Sequence, residues 1–371
     1  MTVQRFVSER FLLLPLGAAA AVVWANTAGE SYFRTSHALA FVVNEVGMAL
    51  FLGLLAHELI EAAMPGGVLH SWQRWTSAVV AAATGAGVAI GTYLAWVTWK
   101  HETVLGTAWP VAAAIDVADG YYMLRLLRLG RGAQAFLLLV AVITSVAGLL
   151  VLGGWPAARG ATIWGIAAIG AAVTLAAFLR HRHVAAFWPY LVGCGTLSWA
   201  GCFAGGLHPA LALLPIVPFM PREPRRRDPF ADVPNDDQVH RAENIWSHGM
   251  QAVVFAFGLV NAGVLVTAYD TGTWAVLVAA LVGRPLGILL GAGLAVAIGL
   301  RLPLHVGWRE LVVIALATSS GFTFALFAAA SLLPIGAVLQ QIKVGALSTV
   351  LGAIVTLVAA RLLRVGRFRA A

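Results

Sequence analysis

The sequence predicts an all-α polytopic membrane protein with about twelve transmembrane helices. Three observations carry this. The 371 residues are 60% hydrophobic and only 11% charged. Soluble domains carry about 25% charged residues, and a single soluble core stops growing near roughly 250–300 residues. The apolar residues fall in repeated runs close to the ~20 residues that an α-helix needs to cross a bilayer. The arginines sit in short patches between those runs. The formal charge of +8 is therefore spread over loops, and no nucleic-acid partner is expected. Cys194 and Cys202 lie in an apolar stretch and suggest neither a disulfide framework nor a metal motif. Arg5 and Arg10 followed by an apolar run to Trp24 have the look of a signal peptide, and the segment is read as an uncleaved first span.

Hydropathy places the spans at 11–27, 39–63, 76–99, 108–128, 134–153, 161–179, 187–204, 207–219, 246–269, 275–300, 310–333 and 338–362. An even count puts both termini on one side. That side collects 19 of the 24 basic residues, the other side four, and Arg284 lies within a span. Cytoplasmic loops hold the excess of Lys and Arg, so both termini are expected to be cytoplasmic in a bacterial inner membrane. Residues 221–245 are rich in Pro, Arg and Asp and lack apolar periodicity. They read as a cytoplasmic loop between the halves of a single domain spanning 1–371.

Ionisable residues within spans are costly, about 2.5–3.5 kcal/mol each on insertion scales, and are functional candidates by default. Asp116 and Asp119, in VAAAIDVADGYY, stand three apart and share a helix face. Two carboxylates on one face in a low dielectric repel, which suits one of them to carry a proton. The plainer reading pairs Asp119 with an arginine such as Arg125. Arg284 cannot deprotonate but can hold a carboxylate, with Asp116 or Asp119 as the expected partner. Pro285 should push Arg284 out of α geometry, so a kink or a helix start is expected there. A start would make Arg284 a snorkelling interfacial cation. His57, Glu58 and Glu61 form a candidate pH-sensing mouth, or simply a wet helix end. Glu45 is expected at the interface.

Several motifs together resemble the NhaA family of sodium/proton antiporters. VVNEVGMALFLGLLAHE resembles W-I-N-D-x-L-M-A-x-F-F-L-L-V-G-L-E. GGLHPAL resembles S-G-V-H-A-T-L, and FGLVNAGV resembles F-A-x-A-N-A-G-V. VGRPLGI resembles G-K-P-L-G-I, and SSGFTFALFAAASL resembles G-I-G-F-T-M-S-L-F-I-A-S-L. They stand in the family's order over nearly the whole chain. The resemblance implies an NhaA-like fold of twelve helices with inverted repeats and two broken, crossing helices near the midplane. The crossings would fall at Ala113–Asp119 and at Ser319, Ser320, Gly321 and Thr323. It also implies exchange of sodium or lithium for protons, with no cofactor, membrane lipid as surroundings and a monomer or homodimer.

The site residues depart from the family. Its paired aspartates, in A-I-I-D-D-L-G-A, become Thr144 and Ser145 in AVITSVAG. Its T-D pair becomes Ala113 and Ala114, with Asp116 two residues further on, and its lysine becomes Arg284. Asp116 and Asp119 would then bind ion and proton, with Thr144 and Ser145 as neutral ligands and Arg284 holding the resting site. Two acids against one arginine favour cation antiport less than the family's own set does. An anionic or neutral solute, or a non-transporting relative, are the alternatives. The first loop, TAGESYFRTSHAL, reads as too short for the family's dimerising β-hairpin.

Overall fold

The computed structural model describes residues 13–63, 71–113, 118–154, 162–221, 252–267, 269–302 and 306–369. The helices begin with α1 (Leu13–Thr27), α2 (Gly29–Phe41), α3 (Met48–Ala63) and α4 (Trp72–Trp99). Next come α5 (Trp109–Ala113), α6 (Ala118–Leu126), α7 (Arg131–Gly154), α8 (Ile163–His181) and α9 (Gly195–Ala204). The second half holds α10 (Ala252–Asn261). It continues with α11 (Thr271–Val278), α12 (Arg284–Ala297), α13 (Trp308–Ala317), α14 (Thr323–Leu332), α15 (Ala337–Ser348) and α16 (Leu351–Leu362). Among the described residues, six helical stretches are long and apolar enough to cross a membrane, and four shorter apolar helices accompany them.

Two of the expected spans differ. The first loop is not a loop: Gly29–Phe41 is helical and runs into the second span. Several of its polar residues are satisfied locally, while the Tyr32 hydroxyl reaches the Leu259 and Val260 carbonyls. Ser31 and Thr35 hydroxyls donate to the carbonyls of Ala28 and Ser31, and Glu30 pairs with Arg34 at 2.7 Å. The expected span 207–219 is not a continuous helix either. It consists of turns and two short 3₁₀ segments, Pro209–Leu211 and Val217–Phe219. Pro209, Pro215 and Pro218 remove backbone donors, so no α ladder can form. The segment is held from outside, as Ser198 donates to the Ala212 carbonyl at 2.7 Å and Arg180 to that of Met220 at 3.1 Å. The polar 222–245 stretch lies outside the described residues.

α4 packs along α11 and α12. Lipid offers no hydrophobic drive between helices, so close backbone approach must hold them. Gly283, Gly287 and Gly291, four apart, line the α12 side of this contact. A Cβ at Gly287 would lie 2.5 Å from the Thr84 carbonyl, and one at Gly283 2.7 Å from the Thr92 hydroxyl.

The same contact resolves the expected kink at Pro285. Arg284 has φ −66° and ψ −51°, which is α geometry, and the helix runs through it. The preceding turn, Ala279–Gly283, is a π turn. A wider turn displaces the carbonyl of Leu281 that a proline ring would strike in a regular helix.

Candidate functional site

Helix breaks are expected at Ala113–Asp119 and at Ser319–Thr323. Residues 114–117, between α5 and α6, lie outside the described residues, and Asp116 with them. So does the Asp119 side chain, although its backbone is helical within α6. The second break is fully described. α13 ends at Ala317, residues 318–322 leave the helical path, and α14 begins at Thr323. Thr318, Ser319, Ser320 and Thr323 are all buried there.

An interrupted helix exposes unsatisfied carbonyls at one end and N–H groups at the other, with opposite partial charges. Arg284 meets the carbonyl end of α13. It is 2% exposed, which excludes the snorkelling reading. One guanidinium nitrogen donates to the Ala112 carbonyl at 2.8 Å and another to the Thr318 carbonyl at 3.2 Å. Arg284 thus ties α5 to the end of α13. The expected carboxylate partners, Asp116 and Asp119, have side chains outside the described residues, and these two backbone oxygens hold the guanidinium as well. The N–H end at the second break belongs to α14, where negative charge is favoured.

The hydroxyls at the second break divide into two kinds. Thr318 Oγ1 donates to Ala315 and Ser320 Oγ to Ala317, each at 2.6 Å, back into the turn they leave. The Gly321 carbonyl accepts from Thr349 Oγ1 at 3.0 Å. Ser319 Oγ is fully buried and has no hydrogen-bond partner among the described residues. A buried hydroxyl left unsatisfied costs about 1–3 kcal/mol, so its retention in a membrane interior calls for an explanation. Behind it, a Cβ at Gly352 would lie 2.9 Å from the Ser319 carbonyl, so α16 closes on the break from the far side.

α7 forms another wall. Thr144 and Ser145 are buried. Thr144 Oγ1 lies 3.0 Å from the carbonyls of Val140 and Ala141 and donates into its own helix, leaving its lone pairs available. One turn on, a Cβ at Gly148 would sit 3.0 Å from the Phe324 ring, so this face of α7 lies along the start of α14. A Cβ at Gly120 would meet Leu137 of α7 at 3.1 Å and the Ala317 carbonyl at 3.2 Å. That contact places the start of α6, and with it the backbone of Asp119, against the end of α13.

Of the proposed mouth, His57 is buried, while the Glu58 and Glu61 side chains lie outside the described residues. Glu45 is not simply interfacial. It sits on a π turn, Val42–Gly47, with its carboxylate 3.8 Å from His208 Nδ1. His208 Nδ1 also accepts from the Ala210 N–H at 3.2 Å, and its ring packs edge-on to Phe327 at 5.0 Å. Beside it, the Asn261 amide donates to Asn44 Oδ1 at 2.7 Å. This second polar cluster was missed as a site, although its residues stand inside the VVNE, GGLHPAL and VNAG motifs.

Buried polar groups around a helix break in an apolar bundle suit a membrane transporter, and the comparisons with known proteins agree. The family model described as Na+/H+ antiporter 1 matches residues 8–362. A Na(+)/H(+) antiporter NhaA of Geotalea uraniireducens is 34% identical over 361 residues, covering 94% of this chain and 93% of the relative. One from Geobacter metallireducens is 35% identical over 326 residues, covering 84% and 85%. Among solved structures, the sodium proton antiporter MjNhaP1 from Methanocaldococcus jannaschii shares the fold, with a TM-score of 0.61 at 15% identity over 97% of this chain and 95% of that one. With a match that runs almost end to end and relatives aligned over nearly their whole length, the chain belongs to the Na+/H+ antiporter 1 family.

Proposed function

We propose that this protein is a secondary active transporter, not an enzyme, that exchanges a monovalent cation, sodium or lithium, for protons. The observation that carries the reading is the pairing, at the second break, of Arg284 on the carbonyls of Ala112 and Thr318 with the buried hydroxyl of Ser319, which has no partner among the described residues. Arg284 neutralises the carbonyl ends permanently. The N–H ends are left to be balanced by acids that change protonation, and Asp116 and Asp119 are the acids that the sequence supplies there. Ser319 Oγ, Thr144 and Ser145 add neutral oxygens. They strip water from a cation without fixing further charge, so the carboxylates decide between cation and proton. Competition for one carboxylate couples the two fluxes, and rocking of the broken helices changes the side to which it opens.

The basic-residue asymmetry supports an inner-membrane location with both termini cytoplasmic. It also supports 221–245 as a cytoplasmic loop within a single domain spanning 1–371. The alternatives, a different solute or a non-transporting relative, gain no support from the family. Everted vesicles loaded with a pH-sensitive dye test the reading. Dequenching on addition of Na⁺ or Li⁺, abolished in Asp116→Asn, is the expected result. A well-folded protein with no response to either cation would refute it.

A further inference from the structure

Away from the crossing, the start of α13 and the chain that follows α16 enclose an open groove of about 670 Å³. Its walls include Trp308, Arg309, Glu310, Arg364, Val365 and Arg369. Three arginines against one glutamate leave it with a net charge of +2. All three arginines are exposed. Glu310 answers them only in part. One of its carboxylate oxygens lies 3.8 Å from Arg369, and the other accepts the Gly307 N–H at 2.9 Å.

The groove is also the end of an apolar track. Leu351, Ile354, Val355, Val358 and Leu362 are each between 44% and 77% exposed. Their spacing of three and four residues draws one stripe along α16. The stripe finishes three residues before Val365, whose N–H bonds back to Ala360 at 2.9 Å and turns the chain into the groove wall. Half-exposed Trp308 stands at the same level, the position an interfacial indole takes.

We propose that this groove binds an anionic glycerophospholipid, its phosphate held by Arg309, Arg364 and Arg369 and an acyl chain lying along the α16 stripe. Guanidinium groups match phosphate oxygens in pairs, and basic pockets between membrane helices suit acidic headgroups. The stripe distinguishes a lipid from free phosphate, which has nothing to lay against it. The occupant would bear on both α13 and α6. Arg309 belongs to α13, and the same tail donates from the Arg367 N–H to the Leu127 carbonyl at the end of α6, at 2.8 Å.

Native mass spectrometry of the purified full-length chain, titrated with phosphatidylglycerol, phosphatidylcholine or inorganic phosphate, tests the site. Retention of phosphatidylglycerol over phosphatidylcholine is expected. Each arginine near an anionic headgroup accounts for about fivefold, so the triple Arg-to-Gln variant should bind on the order of a hundredfold more weakly. Arg364→Gln alone, at an exposed helix end, should lose about fivefold and covers the case in which the triple variant does not fold. Arg74→Gln, a basic residue elsewhere, should change nothing. Glu310→Gln should bind more tightly, because it removes the competing carboxylate. Equal retention of both lipids, or unchanged binding in Arg364→Gln, overturns the proposal. So does displacement of the lipid by inorganic phosphate at low millimolar concentration, which would mark a free-anion site.

Discussion

Arg284 and Ser319 carry the chemistry at the residue scale, and they predict opposite effects. Arg284→Ala leaves two buried carbonyls without a cation and should cost on the order of 3 kcal/mol. Arg284→Lys keeps the charge but loses the planar fork that spans two oxygens, and should fall between. Thermal unfolding of the purified variants ranks the three. Ser319→Ala removes a buried hydroxyl that has no partner among the described residues, so the variant should be no less stable than the parent and up to about 1–3 kcal/mol more stable. If that hydroxyl is a cation ligand, the KM for sodium should rise several-fold with no loss of stability. An unchanged KM removes Ser319 from the site. The sequence exposed the importance of Arg284, because an arginine within an apolar span is conspicuous. It could not expose these two backbone partners, because carbonyls of Ala112 and Thr318 carry no side-chain signature. The orphan at Ser319 was equally hidden, since its two neighbours with the same kind of side chain turn back onto their own helix.

Among the elements, the second break was legible and the continuities were not. The Ser-Ser-Gly run over residues 319–321 marked the interruption between α13 and α14, as a cluster of poor helix formers should. Pro285 misled, because a π turn widens the helix one step earlier. The first loop misled for the converse reason: a hydropathy window sees polar side chains, not the carbonyls of their own helix that satisfy them. The segment 207–219 is apolar enough for a span, and only its three prolines betray that it cannot be one. The α4–α12 contact gives a further prediction. Gly287→Ala should cost about 1–3 kcal/mol, because its Cβ would be forced to 2.5 Å from a backbone oxygen. Gly299, on the same span but with nothing within 4 Å of a Cβ, differs in having a positive φ of 86°, so Gly293 is the better control. It meets only the tip of the Trp308 ring at 4.0 Å. The monodisperse fraction on size exclusion should fall for Gly287→Ala and hold for Gly293→Ala.

For the whole molecule, the sequence delivered the class and the family, because composition and motif order are global signals. The site was legible only in outline. Aspartates, serines and an arginine could be named, but which atoms meet depends on backbone breaks and on neighbouring helices. The proposed orientation is testable by labelling. Cys194 and Cys202 are buried and unpaired, so a chain with serine at both can carry one new cysteine within 221–245. A membrane-impermeant maleimide should reach it in everted vesicles and not in intact spheroplasts. The reverse pattern would invert the topology.

The central claim is that carboxylates beside the Arg284-bridged breaks exchange a cation for protons. Its most direct measurement is uptake of ²²Na⁺ into proteoliposomes holding the purified protein and an acidic lumen. The account predicts uptake that collapses when the pH gradient is dissipated and that is lost in Asp116→Asn. Uptake that is indifferent to the gradient, or that survives unchanged in that variant, would contradict it.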